Sequence, residues 1–258
     1  MNLRFLGTGT SFGIPVVGCG CATCLSDDPK DQRTRHAAVL EEGDRRLLID
    51  TPPELRLQLL AAGISDIDAV WFTHYHADHT HGVDDLRVFS MRTGTPLTVY
   101  GSQATVEMLG TKFAYVFDSF RKAVEGTTKP EGELQVLTPY EEIEIAGFDL
   151  TPLPVPHGQM EAYGFRIGDL GYITDAKRLP ERTRTGLEGV RVLVLNALWF
   201  GLEHPTHFNV EEAVEVAKEV GAEQTYLTHI SHLASHRELV DRLPPGILPA
   251  HDGLVVRL

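Results

Sequence analysis

Only three cysteines occur in the 258 residues, and all lie in the heptapeptide GCGCATC, residues 18–24, as Cys19, Cys21 and Cys24. An odd set this tightly spaced excludes a disulfide framework and fits a reducing compartment. Long hydrophobic runs are also missing. No stretch approaches the about 18–20 consecutive apolar residues of a membrane span. The opening MNLRFLGTGTSFG lacks the basic start and apolar run of a leader. The expected location is therefore the cytoplasm, with no membrane partner. Basic residues are scarce: 23 Lys and Arg stand against 36 Asp and Glu, a net charge of −13, with no basic run longer than Arg45-Arg46. That argues against a long nucleic acid as partner, although a small anion remains compatible. No repeat, low-complexity tract or Pro/Gly/Ser linker divides the chain, which is expected to form one domain over residues 1–258.

What is present is a succession of short apolar segments bounded by turn residues. Leu3–Leu6, Arg46–Ile49, Ala69–Phe72, Leu97–Tyr100, Ile143–Ile145, Phe148–Pro152, Gly164–Ile167, Tyr172–Thr174, Val190–Leu195, Gln224–Leu227 and Leu254–Leu258 read as strands. Pro53–Ala62, Ser102–Leu109, Asn209–Val220 and Ser235–Leu243 carry helical spacing. Asn209 followed by Glu211 and Glu212 marks a helix start, and Gly221 a stop. Strands with interspersed helices imply a layered mixed α/β domain. Residues 111–133, TKFAYVFDSFRKAVEGTTKPEGE, read as an insertion, either a lid over a site or packing decoration.

Twelve histidines is a high number for this length, and several cluster. The apolar segment Ala69–Phe72 runs into THYHADH, residues 73–79, which supplies His74, His76, Asp78 and His79. Imidazole and carboxylate are the usual ligands of hard-to-borderline divalent metals. H-x-H-x-D-H spacing after a strand puts four potential ligands on one loop, a density that isolated structural histidines do not produce.

This motif resembles that of the metallo-β-lactamase fold superfamily. The resemblance implies an α/β architecture, a four-layer αββα sandwich with two mixed sheets. It also implies further ligands downstream, and the chain offers His157 in PVPHG, Asp175 in YITDA and His229 in LTHISH. By the family's pattern His74, His76 and His157 bind one divalent catalytic metal, and Asp78, His79 and His229 a second. Asp175 bridges the two, its pair of oxygens spanning the cations, with a metal-bridging hydroxide as the implied nucleophile. Zinc, manganese and iron all accept such ligands. Asp50, ending RRLLID, matches an Asp that in the superfamily supports the ligand loop without binding metal. The lactam-cleaving branch with a cysteine ligand would carry it near Asp175, whereas all cysteines here lie at residues 19–24, which argues against antibiotic hydrolysis.

LTHISH holds two histidines. With His229 serving the catalytic pair, His232 remains free. C-x-C-x2-C plus one distant histidine is a Cys3His set, a common structural zinc type. Cys19, Cys21, Cys24 and His232 are therefore expected to hold one structural zinc. With GTG at 7–9, CGCATC at 19–24, THYHADH at 73–79 and LTHISH at 227–232, the chain resembles the PhnP-like phosphodiesterases, accessory enzymes of phosphonate breakdown. The resemblance implies metal-dependent hydrolysis of a small phosphodiester, cyclic ones included. His207 in HPTHFNVEEA lies just before the helix start at Asn209, where a family histidine reaches the active site. It is the expected catalytic acid, protonating the leaving alkoxide; His204 is the weaker alternative. Arg87 in GVDDLRVF reads as a partner of Asp84 or Asp85 rather than a phosphate ligand. Asp252 in HDGL is a further candidate supporting residue. Two other functions stay open: a glyoxalase II-like thioester hydrolase and a non-catalytic PqqB-like accessory protein. A tRNA-end nuclease should carry a basic arm, which residues 111–133 do not resemble. The expected partner is a small-molecule phosphodiester; a homodimer is compatible with the sequence.

Overall fold

Alternation along the strands decides the layering. In β1 (Asn2–Gly7) Leu3 and Phe5 join one buried cluster and Leu6 another. The same split recurs in the strands beside it, as expected of a sheet covered on both faces. The computed structural model describes residues 1–258. The first sheet also contains β2 (Ala37–Glu42), β3 (Arg45–Ile49), β4 (Ala69–Trp71), β5 (Leu97–Gly101) and β6 (Gly132–Val136). The second contains β7 (Ile143–Ile145), β8 (Phe148–His157), β9 (Met160–Ile167), β10 (Leu170–Tyr172), β11 (Val192–Asn196), β12 (Gln224–Thr228) and β13 (Ile247–Pro249). The last strand, β14 (Val255–Arg257), returns to pair with β1. The orders are β14-β1-β2-β3-β4-β5-β6 and β13-β12-β11-β10-β9-β8-β7. Each sheet mixes antiparallel and parallel pairs, as β2–β3 and β3–β4 illustrate in one and β9–β10 and β10–β11 in the other.

Trp71, Phe165 and Tyr172 pack between the sheets. Helices cover the outer faces: α1 (Leu55–Ala62), α3 (Arg87–Thr93), α4 (Gln103–Lys112) and α5 (Ala114–Phe117) on the first half, and α6 (Glu181–Gly186), α7 (Val210–Val220) and α8 (His236–Arg242) on the second, while the one-turn α2 (Ala77–Thr80) lies within THYHADH at the end of the sandwich. This is the expected four-layer sandwich. Asn209 accepts from the Glu212 N–H while Glu212 accepts from the Asn209 N–H, a reciprocal cap, and Gly221 ends α7 at φ 75°.

Some strands escape sequence reading for physical reasons. β8 continues past Pro152 to His157, although Pro152, Pro154 and Pro156 break a strand pattern. The prolines sit at alternate positions, so their nitrogens all face the edge away from β9. On that edge the Pro152 carbonyl accepts from the Tyr140 N–H at 3.0 Å. β2 and β13 were not expected, nor was β6, an edge strand with little burial. Residues 111–133 run from the end of α4 through α5 and a loop into the first two residues of β6. Arg87 secures that loop. It donates to both Asp84 oxygens at 2.8 and 2.9 Å and to the Thr128 carbonyl at 2.8 Å, while Tyr115 also donates to Asp84. Arg87 is thus the partner of Asp84, as its sequence context suggests.

Candidate metal centre

Four strand ends converge at one end of the sandwich. THYHADH follows β4, His157 ends β8, Asp175 follows β10 and His229 follows β12. Three non-glycine residues here take left-handed backbone: Asp50 at φ 63°, Asp175 at 56° and His229 at 56°. Such conformations cost free energy and persist where the surroundings enforce them. For His229 the enforcing contacts come from the GTG turn, whose Thr8 carbonyl accepts from the Ile230 N–H at 2.9 Å. The same turn packs tightly on the segment before β2, where a Cβ on Gly7 would stand 2.0 Å from the Arg35 carbonyl oxygen.

The donor atoms of His74, His76 and His157 face one another. His76 Nδ1 lies 2.9 Å from His74 Nε2 and 3.2 Å from His157 Nε2. Asp78, His79 and His229 form a second group, with His79 Nε2 and His229 Nε2 at 3.5 and 3.9 Å from Asp78 Oδ2. Asp175 Oδ2 lies between the groups, 3.8 Å from His74 Nε2, 3.7 Å from His157 Nε2, 3.6 Å from His79 Nε2 and 3.5 Å from His229 Nε2. Oδ2 is the nearer oxygen to each of these nitrogens, while Asp175 Oδ1 accepts from Thr174 Oγ1 at 2.7 Å.

The donor set fits divalent cations. Three nitrogens turned toward a common point cannot satisfy one another with protons, whereas one cation satisfies all three. His79 Nε2 and both ring nitrogens of His229 are buried without a hydrogen-bond partner, a rare condition for buried polar atoms. Burial lowers His74 and His76, and neighbouring imidazoles add to the effect. His79 goes the other way: burial disfavours its charge, but Asp175, Asp78 and Asp50 outweigh burial and hold it well above its ordinary value. Burial alone would raise Asp175, yet His229 and His79 keep it well below the usual carboxylate range.

Supporting residues fix this set. Asp50 accepts from the Thr73 N–H and Oγ1, both at 2.8 Å, and lies 2.7 Å from His79 Nδ1. It holds the loop without joining either donor group. Thr73 Oγ1 also lies 3.1 Å from His74 Nδ1, and the Thr206 carbonyl 3.3 Å from His157 Nδ1. His207 Nε2 is 3.1 Å from Asp175 Oδ2, and its ring stacks on His229 with centroids 4.9 Å apart. Its Nδ1 meets Thr206 Oγ1 at 2.9 Å and His204 Nδ1 at 3.2 Å. His204 therefore stands behind His207. Asp252 is not at the centre; it accepts from Thr8, Thr34 and the Thr34 N–H beneath the GTG turn. Ser11, Gln159, Met160 and Thr206 join the donors around a cleft of about 420 Å³ that bears no Lys or Arg. Sequence reasoning missed Thr73, Thr206 and Ser11. Thr73 precedes a ligand-type histidine and Thr206 precedes His207, a signal available in the sequence.

A second cluster lies apart. Cys19 Sγ and Cys21 Sγ are each 3.4 Å from His232 Nδ1, and Cys24 Sγ completes a set whose donor atoms lie within 4.8 Å of one another. Zinc–sulfur bonds of about 2.3 Å make tetrahedron edges of about 3.8 Å, so the set fits one tetrahedral cation. N–H groups of Cys24 and Val16 donate to Cys21 and Cys24 sulfur at 3.4 and 3.3 Å. The Cys24 N–H, with His232, lowers the Cys21 thiol to about 6, while burial raises Cys24 to about 11.

Residues 45–230 match the β-lactamase superfamily domain. The crystal structure of a diphosphatase from the PhnP family superposes with a TM-score of 0.90 at 38% identity, covering 100% of this chain and 97% of that one. An octanoyltransferase from Porphyromonas gingivalis is 36% identical over 98% of this chain, which spans only about half, 51%, of that protein. A ribonuclease Z from Methanopyrus kandleri is 27% identical over 99% of this chain and 97% of its own.

Proposed function

The chain belongs to the β-lactamase superfamily, as a PhnP-like protein of the metallo-β-lactamase fold, and from that premise we propose that it is a metal-dependent hydrolase of small phosphodiesters. The observation that carries this reading is Asp175 Oδ2, set between two groups of ligand-type side chains at the foot of an open cleft. His74, His76 and His157 would hold one cation, Asp78, His79 and His229 the other, and Asp175 both. Zinc, manganese and iron suit the donors. When bound, two such cations acidify water and offset charge building on the phosphoryl oxygen.

The chain's own residues supply the rest. Water gives up a proton to solvent and attacks phosphorus opposite the leaving oxygen, the P–O bond breaks, and the imidazolium form of His207, which burial disfavours and Asp175 supports, gives its Nε2 proton to the departing alkoxide. Thr206 and His204 behind Nδ1 hold the ring so that Nε2 faces the cleft. Histidines are the only basic side chains lining the cleft, so apart from the cations it offers no permanent positive charge to meet a second negative charge. A diester therefore suits the site better than a monoester. The four atoms of the Cys19, Cys21, Cys24 and His232 cluster would hold a structural zinc.

The test is a hydrolysis screen on protein of measured metal content, comparing aryl and cyclic phosphodiesters, diphosphates, monoesters and thioesters. The thioester arm addresses glyoxalase II-like chemistry, with one relative bearing an acyl-transfer name. Diester turnover well above monoester turnover is expected. Comparable rates for the two, or thioester cleavage alone, would overturn the reading.

A further inference from the structure

His36 stands beneath the centre, just before β2, and is 1% exposed. Its ring centroid lies 5.8 Å from that of His79 and 6.2 Å from that of His229. Both ring nitrogens are bonded: Nδ1 is 3.1 Å from Thr228 Oγ1, and Nε2 is 2.5 Å from the Tyr172 hydroxyl. Thr228 and Tyr172 are themselves 0% exposed. One imidazole from the segment leading into the first sheet thus ties together β10 and β12 of the second at the level of the proposed cations.

The consequence falls on His229. His79 is held by Asp50, His74 by Thr73 and His157 by the Thr206 carbonyl. His229 alone among these four has neither ring nitrogen bonded within the protein. Its direction is set by its left-handed backbone and by stacking on His79 and His207. Thr228, the residue before it, is anchored through its carbonyl to the Ala197 N–H at 2.8 Å and through its hydroxyl to His36. We propose that His36 is a positioning residue that holds Thr228, and through it His229, so that one of the two cation sites is preformed.

This inference rests on the proposed cation-binding reading, and the experiment separates the two. Chelator-stripped wild type, His36→Phe, Thr228→Val and His36→Gln are titrated with Mn²⁺ and Zn²⁺, reading stoichiometry and affinity, with melting curves confirming folding. Phe removes both hydrogen bonds, Val removes the hydroxyl alone in nearly the same volume, and Gln keeps a group able to bond a hydroxyl. In both His36→Phe and Thr228→Val one catalytic cation should bind about 10–100-fold more weakly and the other as in wild type. His36→Gln should regain part of the loss, and the His36→Phe/Thr228→Val pair should lose less than the sum of the single losses. Should His36→Phe fail to fold, Thr228→Val decides the question. Wild-type affinity for both cations in the folded variants, or an equal loss at both, overturns the inference while leaving the proposed function intact. A wild-type chain that takes up no pair of cations overturns both.

Discussion

His229 and His232 are three residues apart, yet they belong to sites built differently. His229 meets Asp78, His79 and Asp175, and with His74, His76 and His157 they form one set arriving from loops and strand ends of both sheets. Most are buried, and Asp50, Thr73, Thr174 and Thr206 brace them. His232 meets three cysteines from one loop, two of them partly exposed, braced by backbone N–H groups. The first set borders a cleft; the second surrounds its own centre with three soft sulfurs and one imidazole and leaves no position for a substrate. An open site needs an external frame because its missing ligand cannot help hold the geometry. A closed site is held by the cation itself.

The comparison breaks most sharply at Asp175. Because its Oδ2 faces both donor groups, Asp175→Ala should strip both catalytic cations and reduce hydrolysis to background, whereas His157→Ala should lose mainly one. Full metal occupancy in purified Asp175→Ala would refute the bridging assignment.

His207 sharpens it next. His207→Ala should keep both catalytic metals and lose about 10²–10⁴-fold in rate. The loss should shrink with good leaving groups, which need no proton. Its 3.1 Å approach to Asp175 makes a ligand role the competing outcome, revealed by metal loss or by a uniform rate loss across leaving groups.

At the closed site, His232→Ala should remove about one zinc per chain and lower the melting temperature by about 5–10 °C, since about 1 kcal/mol moves it by about 2–4 °C at this size. Activity should fall about 10–100-fold through weaker catalytic metal binding. Excess catalytic metal should restore rate but not stability. Unchanged zinc content and melting temperature would show that the cysteines do not use His232.

The smallest effect concerns stability alone, at a histidine outside both donor clusters. Burial, then the Arg33 guanidinium at 3.2 Å, pushes buried His236 down to about 4 from an ordinary 6.5. The unfolded chain therefore binds the extra proton between these values. Stability from this residue is complete above pH 6.5 and is lost as pH falls toward 4. Urea midpoints of His236→Gln should fall less steeply than wild type across that window. Parallel slopes would contradict it.

Much of this was legible in the chain. THYHADH, PVPHG, YITDA and LTHISH carry ligand-type residues at strand ends, and their order alone suggests one site. Asn209 and Gly221 bracket α7 because caps are local chemistry. β6 and the Pro-rich end of β8 were not legible, because edge strands need neither full burial nor every N–H. Nor were His36 and Tyr172, which lie 136 positions apart and meet only across the two sheets.

The sequence by itself determined which donors exist, their order, and the soft character of one set against the harder character of the other, since these follow from side-chain chemistry and local spacing. Only the tertiary structure decided which oxygen of Asp175 lies between the donor groups, that His204 backs His207, and that His36 stands under His229. Those relations depend on the packing of two sheets face to face, which brings distant positions within hydrogen-bond reach and leaves no trace in either segment alone.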